Sequence, residues 1–223
     1  MSFYDYIMFK PESQRDFSEI LELMMEREFN IHKFYRVRDW KRLSEKLYNS
    51  QFKDNKHFEL SFESLAYIIN SLFGNEAIIA ILKGKDGLTK EQLMNKVLEF
   101  KRSVREKFCK TNQIYLIANV NNMPINRYGI DNNGTIKLQT QDGRLKPISR
   151  CQDEGLFKFH SLSYLHCPDA EVGKVLNELN LLQSEGVFNE ENEISMLELE
   201  NIKRYGTFNV FKHIEKNIDN ERD

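Results

Sequence analysis

Strand-like and helix-like segments alternate along this 223-residue chain in an order that restricts its fold more than any single motif does. Phe3 to Phe9 (FYDYIMF) is an aromatic, apolar run closed by Lys10-Pro11, as a strand is. Phe17, Ile20, Leu21, Met24 and Met25 then fall at helical spacing, with Glu19, Glu22 and Glu26 among the polar positions. Asn30 to Val37 returns to the alternation of a strand. Glu76 to Leu82 (EAIIAIL) is short, apolar and continuous, the composition of a buried strand. Thr89 with Gln92 is a capping-box pattern that opens a long helix through Leu93, Val97, Phe100, Val104 and Phe108. Leu156 to Leu165 reads as a last strand. Pro168-Asp169, with Asp169 as N-cap, then starts a helix bearing Val172, Val175, Leu176, Leu179 and Leu182.

Two further helices interrupt this order: one after Asp39 with Trp40, Leu43 and Leu47, the other from Ser61 with Phe62, Leu65, Ile69 and Leu72. The segment 109–154 is different, with turn signals at Asn132-Asn133-Gly134 and Gln141-Asp142-Gly143 between strand-like pieces, so it reads as an inserted β-hairpin or flap. Without the insertion and the helical pair, the order is β-α-β followed by β-α-β. That is the split βαβ, ferredoxin-like arrangement: an α+β fold, with an antiparallel sheet and helices on one of its faces. Residues 1–186 are expected to form this domain, with 109–154 inserted in it. Residues 187–223 are expected to form a C-terminal tail, partly helical around Phe208–Ile214.

Composition narrows the functional classes. Hydrophobic residues at 40% supply a packed core, and 32 basic against 34 acidic side chains leave no basic surplus for a nucleic-acid duplex. The first residues are not a signal peptide and no apolar run is long enough for a membrane span, so the expectation is a soluble cytoplasmic protein bound to neither nucleic acid nor membrane. Cys109, Cys151 and Cys167 form no CxxC pair, which argues against structural zinc, and no metal-ligating residues are assigned. No phosphate loop, nucleophile elbow, zinc-protease or protein-kinase motif occurs. Chemistry-bearing residues instead gather at two strand ends, Phe9-Lys10-Pro11 and His166-Cys167-Pro168-Asp169.

Taken in order, YIMFKPES, FSEILELMMEREFNI, FYRVRDW, LSEKLY, NEAIIAILKG and YLHCPDAEVGKVLNEL resemble the nucleoside diphosphate kinase family over about residues 3–108 and 159–182. The resemblance implies a ferredoxin-like core and a phosphoryl transfer in which His166 takes the γ-phosphate of ATP or another nucleoside triphosphate. Glu178 would hold the imidazole, Lys10 would meet the transferring phosphate, and Tyr48 would stand beside the histidine. It also implies that Arg105 grips phosphate oxygens and that either Phe58 or Phe62 supplies the nucleobase platform. Mg²⁺ is expected on the nucleotide phosphates, nucleotides as partners, and a homo-oligomer as the assembly. The chain departs from the family in four places: Gln92, or at best Lys90, stands where a second phosphate-binding arginine belongs; Ser163 replaces an asparagine; Cys167-Pro168 replaces Gly-Ser; and 109–154 is inserted. Two readings therefore compete: a phosphotransferase with a specialised acceptor, and a catalytically degenerate nucleotide-binding or scaffold domain. A regulatory phosphohistidine protein is a third.

Overall fold

The computed structural model describes residues 3–52, 70, 73–85, 87–109 and 164–209, with the strand segments 117–120, 123–124, 128–130, 136–139, 145–147 and 157–160. Its centre is a four-stranded, wholly antiparallel sheet built from β1 (Tyr4–Phe9), β2 (Ile31–Val37), β3 (Ala77–Lys83) and a short last strand, Leu165–His166. Across the sheet the order is last strand, β1, β3, β2. Each β-α-β half therefore leaves a gap that a strand of the other half fills, which is the ferredoxin-like topology. The crossovers are α1 (Phe17–Glu26), between β1 and β2, and α3 (Lys90–Phe108), after β3; α2 (Trp40–Phe52) follows β2. Thr89 opens α3 with a complete capping box, its hydroxyl accepting from Gln92 N while the Gln92 side chain accepts from Thr89 N.

β3 reads as one apolar run because it is buried on both sides. Ile78, Ala80 and Leu82 pack with Ile7 and Phe9 of β1, α1 and α3. Ala77, Ile79 and Ile81 pack on the opposite face with Tyr6, Met8, Trp40, Leu43 and Leu47. Each fully buried Ile or Phe contributes about 1.5–3 kcal/mol relative to exposure. The expectation of helices on one face is thus corrected. The second face is covered by α2 and by the helix Val172–Ser184, whose Leu182 belongs to that core.

The strand expected over Leu156–Leu165 is two strands with different partners. Within 117–160, β4 (Ile117–Val120), β5 (Met123–Pro124) and β9 (Phe157–His160) make one small antiparallel sheet, and β6 (Tyr128–Ile130), β7 (Ile136–Gln139) and β8 (Leu145–Pro147) make another. Only β10 (Leu165–His166) joins the central sheet, pairing Leu165 with Phe9 and His166 with Met8. The inserted segment is therefore more than a hairpin, and its sheet takes in residues beyond 154.

The helix after the histidine segment, α4 (Val172–Ser184), starts later than Pro168-Asp169 predicts. Glu171 precedes its first turn without a side-chain cap, and the Asp169 carboxylate is taken by Lys174 Nζ at 2.7 Å. Asp169 is an ion-pair partner and not a cap. Beyond it, α5 (Met196–Tyr205) ends on Gly206 in the left-handed conformation (φ 61°), and Ile194, Leu199, Ile202 and Phe208 are buried against the α1/α3 face. Ile194 N donates to Phe34 O, so this segment also covers the outer edge of β2. The amphipathic piece expected at Phe208–Ile214 and the helix expected from Ser61 fall largely outside the described residues. Among the described residues no helix is long and apolar enough to cross a membrane.

Candidate active site

β1 carries Tyr6, Met8 and Lys10 in alternate positions, and β10 lies beside its second half. That register brings His166 opposite Met8, on the face covered by α2 and α4. Tyr48 sits near the end of α2 and Glu178 on the second turn of α4, and both point at the imidazole. His166 Nδ1 is 2.9 Å from Tyr48 Oη, and His166 Nε2 is 2.9 Å from Glu178 Oε2. A carboxylate can only accept, so Nε2 carries the proton, Nδ1 keeps its lone pair, and the Tyr48 hydroxyl donates to it.

His166 is 4% exposed. The strand end on which the sequence places it is buried, because Leu165–His166 pairs with β1. Burial pushes the imidazole below its ordinary pKa; the Glu178 contact opposes this, while the charges of Lys101 and Lys10 act with burial. The ring is thus held neutral, with one nitrogen able to attack. Burial raises Glu178, but the hydrogen bonds from His166 and Tyr6 outweigh it and keep the group below the usual glutamate range. The neighbouring thiol is no rival nucleophile, since burial pushes Cys167 up to about 12.

Lys10 leaves β1 with its backbone N–H donating to Tyr164 O and its ammonium 2.7 Å from Glu12 Oε1. Both side chains are almost fully buried, at 7% and 1% exposed. The Lys10 charge bears on His166 and, with Glu12 and Arg105, on Cys109. Arg105 therefore shares the Lys10 neighbourhood. Its Nε is buried and has no hydrogen-bond partner among the described residues, a donor ready for an acceptor.

The structure thus brings together His166, Glu178 and Tyr48 with Lys10 near enough for its charge to bear on the ring, and it sets Arg105 beside Cys109. Lys90 stands elsewhere: it is exposed, and its Nζ lies 5.4 Å from the ring centroid of Phe3, ahead of the opposite end of β1 from Lys10. Gln92 is occupied in the capping box. Phe58, Phe62 and Ser163 lie outside the described residues. Three participants were missed by sequence reasoning. Tyr6 donates to Glu178 Oε2 at 2.5 Å, Glu12 holds Lys10, and Lys101 projects its charge toward His166, Cys167 and Asp169. Lys101 was within reach of the sequence, since it stands one helical turn before Arg105. Tyr6 and Glu12 carried no such signal.

Among solved structures the chain is similar to nucleoside diphosphate kinases. One from Borrelia burgdorferi, a transition-state mimic with bound vanadate and ADP, is 13% identical with a TM-score of 0.41, over 87% of this chain and 91% of that one. One from Aquifex aeolicus is 12% identical at 0.39, over 87% and 100%. One from Halobacterium salinarum, in complex with CDP, is 12% identical at 0.40, over 87% and 93%. No protein-family model matches the chain, and no curated protein does.

Proposed function

We propose that this protein is a nucleoside diphosphate kinase-like phosphotransferase that passes the γ-phosphate of a nucleoside triphosphate through a phosphohistidine at His166 to a nucleotide acceptor. The observation that carries the reading is the imidazole held between Tyr48 and Glu178, neutral by burial, with its lone pair on Nδ1. In the first half-reaction the Tyr48 hydroxyl turns off Nδ1, Nδ1 attacks the γ-phosphorus, the N–P bond forms, and the bond to the β-phosphate oxygen breaks. That oxygen leaves with the electron pair on the nucleoside diphosphate. Nε2–H stays on the ring, and the Glu178 carboxylate balances the positive charge that the ring acquires. Lys10 and Arg105 would offset charge on the equatorial oxygens. The second half-reaction reverses these steps onto a different diphosphate.

Mg²⁺ bound to the nucleotide phosphates would neutralise charge on the β- and γ-oxygens. Such an ion needs few protein ligands, which fits a described site whose carboxylates, Glu12 and Glu178, are both engaged by side-chain donors. The 109–154 insertion would select the acceptor, because it joins the end of the Arg105 helix to the strand segments leading to His166.

A binding or scaffold domain without turnover is the second reading. It is favoured by the buried Lys10–Glu12 pair, which already consumes the cation, and by the hydrogen bond that Tyr48 places on Nδ1. Incubation of the full chain with γ-labelled ATP and Mg²⁺ separates the two. Acid-labile label on His166 that a nucleoside diphosphate removes supports the enzyme. Nucleotide binding without label supports the scaffold.

A further inference from the structure

Tyr6 is buried (0% exposed) at the middle of β1, in the core between sheet and α4, yet its hydroxyl is not idle. It donates to Glu178 Oε2 at 2.5 Å, the length of a hydrogen bond to an ionised carboxylate, and this is the same oxygen that faces His166 Nε2 at 2.9 Å. Tyr6 and His166 are also in ring contact, with centroids 6.0 Å apart. α4 bears Glu178 on a flexible stem that is 14% exposed, so the carboxylate has a route toward water. The strand that carries Tyr6 is paired along its whole length with β3. The tyrosine is held by a fully paired strand and is wholly buried, while the carboxylate sits on a partly exposed side chain.

We infer that Tyr6 is a positioning residue for the histidine site: its hydroxyl pins Glu178 Oε2 in the plane from which that oxygen accepts Nε2–H, and thereby fixes the lone pair of His166 on Nδ1. A phenylalanine in its place keeps the packing and loses the pin. The inference rests on the proposed phosphotransfer only for its effect on rate; the effect on the imidazole stands by itself.

The test uses the full chain with ¹⁵N-labelled histidine. His166 faces Tyr6 from β1, Tyr48 from α2 and Glu178 from α4, and it feels the charges of Lys101 on α3 and Lys10. With the pin gone, Glu178 turns away part of the time, and the imidazolium loses the carboxylate that favours it. In Tyr6→Phe, His166 should therefore titrate lower by about half a unit, and His166 labelling from γ-labelled ATP should slow about fivefold. In a Glu178→Gln background the added Tyr6→Phe change should leave the His166 titration where Glu178→Gln puts it. Tyr35→Phe, which removes a hydroxyl from β2 on the same face, should leave the titration unchanged. An unmoved titration in folded Tyr6→Phe would reduce Tyr6 to packing. A raised one would mean that Tyr6 draws Glu178 off the ring. Either overturns the inference. If Tyr6→Phe fails to fold, 3-fluorotyrosine at position 6, a stronger donor of nearly the same shape, should raise the titration, and no shift there overturns the inference too. A wild-type chain that takes no label but shows these shifts would sink the phosphotransferase and leave the positioning role intact.

Discussion

The two faces of the central sheet bury ionisable groups to the same depth and treat them differently. On the face covered by α1, α3 and α5, Arg36 (4% exposed) donates to Glu76 at 2.6 Å, to Glu198 and to the carbonyl of Phe208. Two carboxylates and a carbonyl surround one guanidinium, and all three come from chain segments remote from β2. This is a latch, and it ties the C-terminal segment to the sheet. On the other face, His166 is hydrogen-bonded through both nitrogens but is held neutral. A charge that is saturated stabilises one arrangement. The neutral imidazole, which feels the charges of Lys101 and Lys10, carries no fixed charge, and its Nδ1 can exchange the Tyr48 hydrogen bond for another group. Burial alone does not separate the two groups; the charge that each keeps inside the fold does.

Removing His166, the proposed nucleophile, tests that face most severely. His166→Ala should abolish acid-labile labelling from γ-labelled ATP. Because His166 is buried, the variant should also melt earlier than wild type, which calorimetry would register. Label at the wild-type level would locate the chemistry on another residue. Removing the latch tests the opposite face. Arg36→Ala removes the buried guanidinium that Glu76, Glu198 and the Phe208 carbonyl share, and since both carboxylates still reach water it should cost about 1–3 kcal/mol in urea unfolding. Labelling per folded molecule should hold, and a parallel loss of labelling would show that the faces are coupled.

A smaller effect is expected where the chemical face uses charge. Lys10→Ala should slow transfer about 10²–10³-fold with less change in nucleotide affinity, since a cation beside the phosphate is most useful as charge redistributes. Equal losses in rate and affinity would make Lys10 a binding residue. The variant should lose stability too, because the buried Glu12 no longer faces its ammonium.

Asp5 sharpens the comparison through pH. It is 1% exposed, and burial pushes it up to about 7, against the lowering effect of the Tyr6 N–H that it accepts. Between about pH 4 and 7 the unfolded chain has lost this proton while the folded one keeps it. The Asp5 contribution to stability therefore falls as pH rises through that window and is constant above it. Asp5→Asn keeps an oxygen for Tyr6 N–H and cannot ionise. Its stability relative to wild type should rise from pH 4 to pH 8 by a few kcal/mol at most. A difference that does not vary with pH would show that Asp5 ionises as freely in the fold as outside it.

Much of the central sheet was legible before any coordinates. FYDYIMF, NIHKFYRV and EAIIAIL contain the three long strands to within a residue at each end, and Thr89 and Gln92 marked the start of α3 by the two bonds they make. Of the residues named from motifs and resemblance, His166, Glu178 and Tyr48 meet through hydrogen bonds, with the Lys10 charge acting on the ring. Lys90 was named by alignment to a family position, and the chain uses that turn as an exposed helix start. The strand after the insertion misled because Phe157–His160 and Leu165–His166 both alternate apolar and polar residues and follow one another closely. Which sheet each joins depends on a partner far away in sequence.

Local periodicity by itself determined the three long strands and the start of α3, because hydrogen bonds within a turn of helix, and alternation along a strand, depend on near neighbours. It determined the doubled β-α-β order and with it the topology, since few arrangements satisfy that order. Tertiary structure alone decided that the sheet is covered on both faces, that Arg36 latches the C-terminal segment, and that Tyr6 and His166 share one carboxylate oxygen of Glu178. These are meetings of groups whose sequence separations run to 172 positions. No local pattern records such a meeting, because each side chain on its own is an ordinary strand or helix residue, and its role exists only once the sheet has closed.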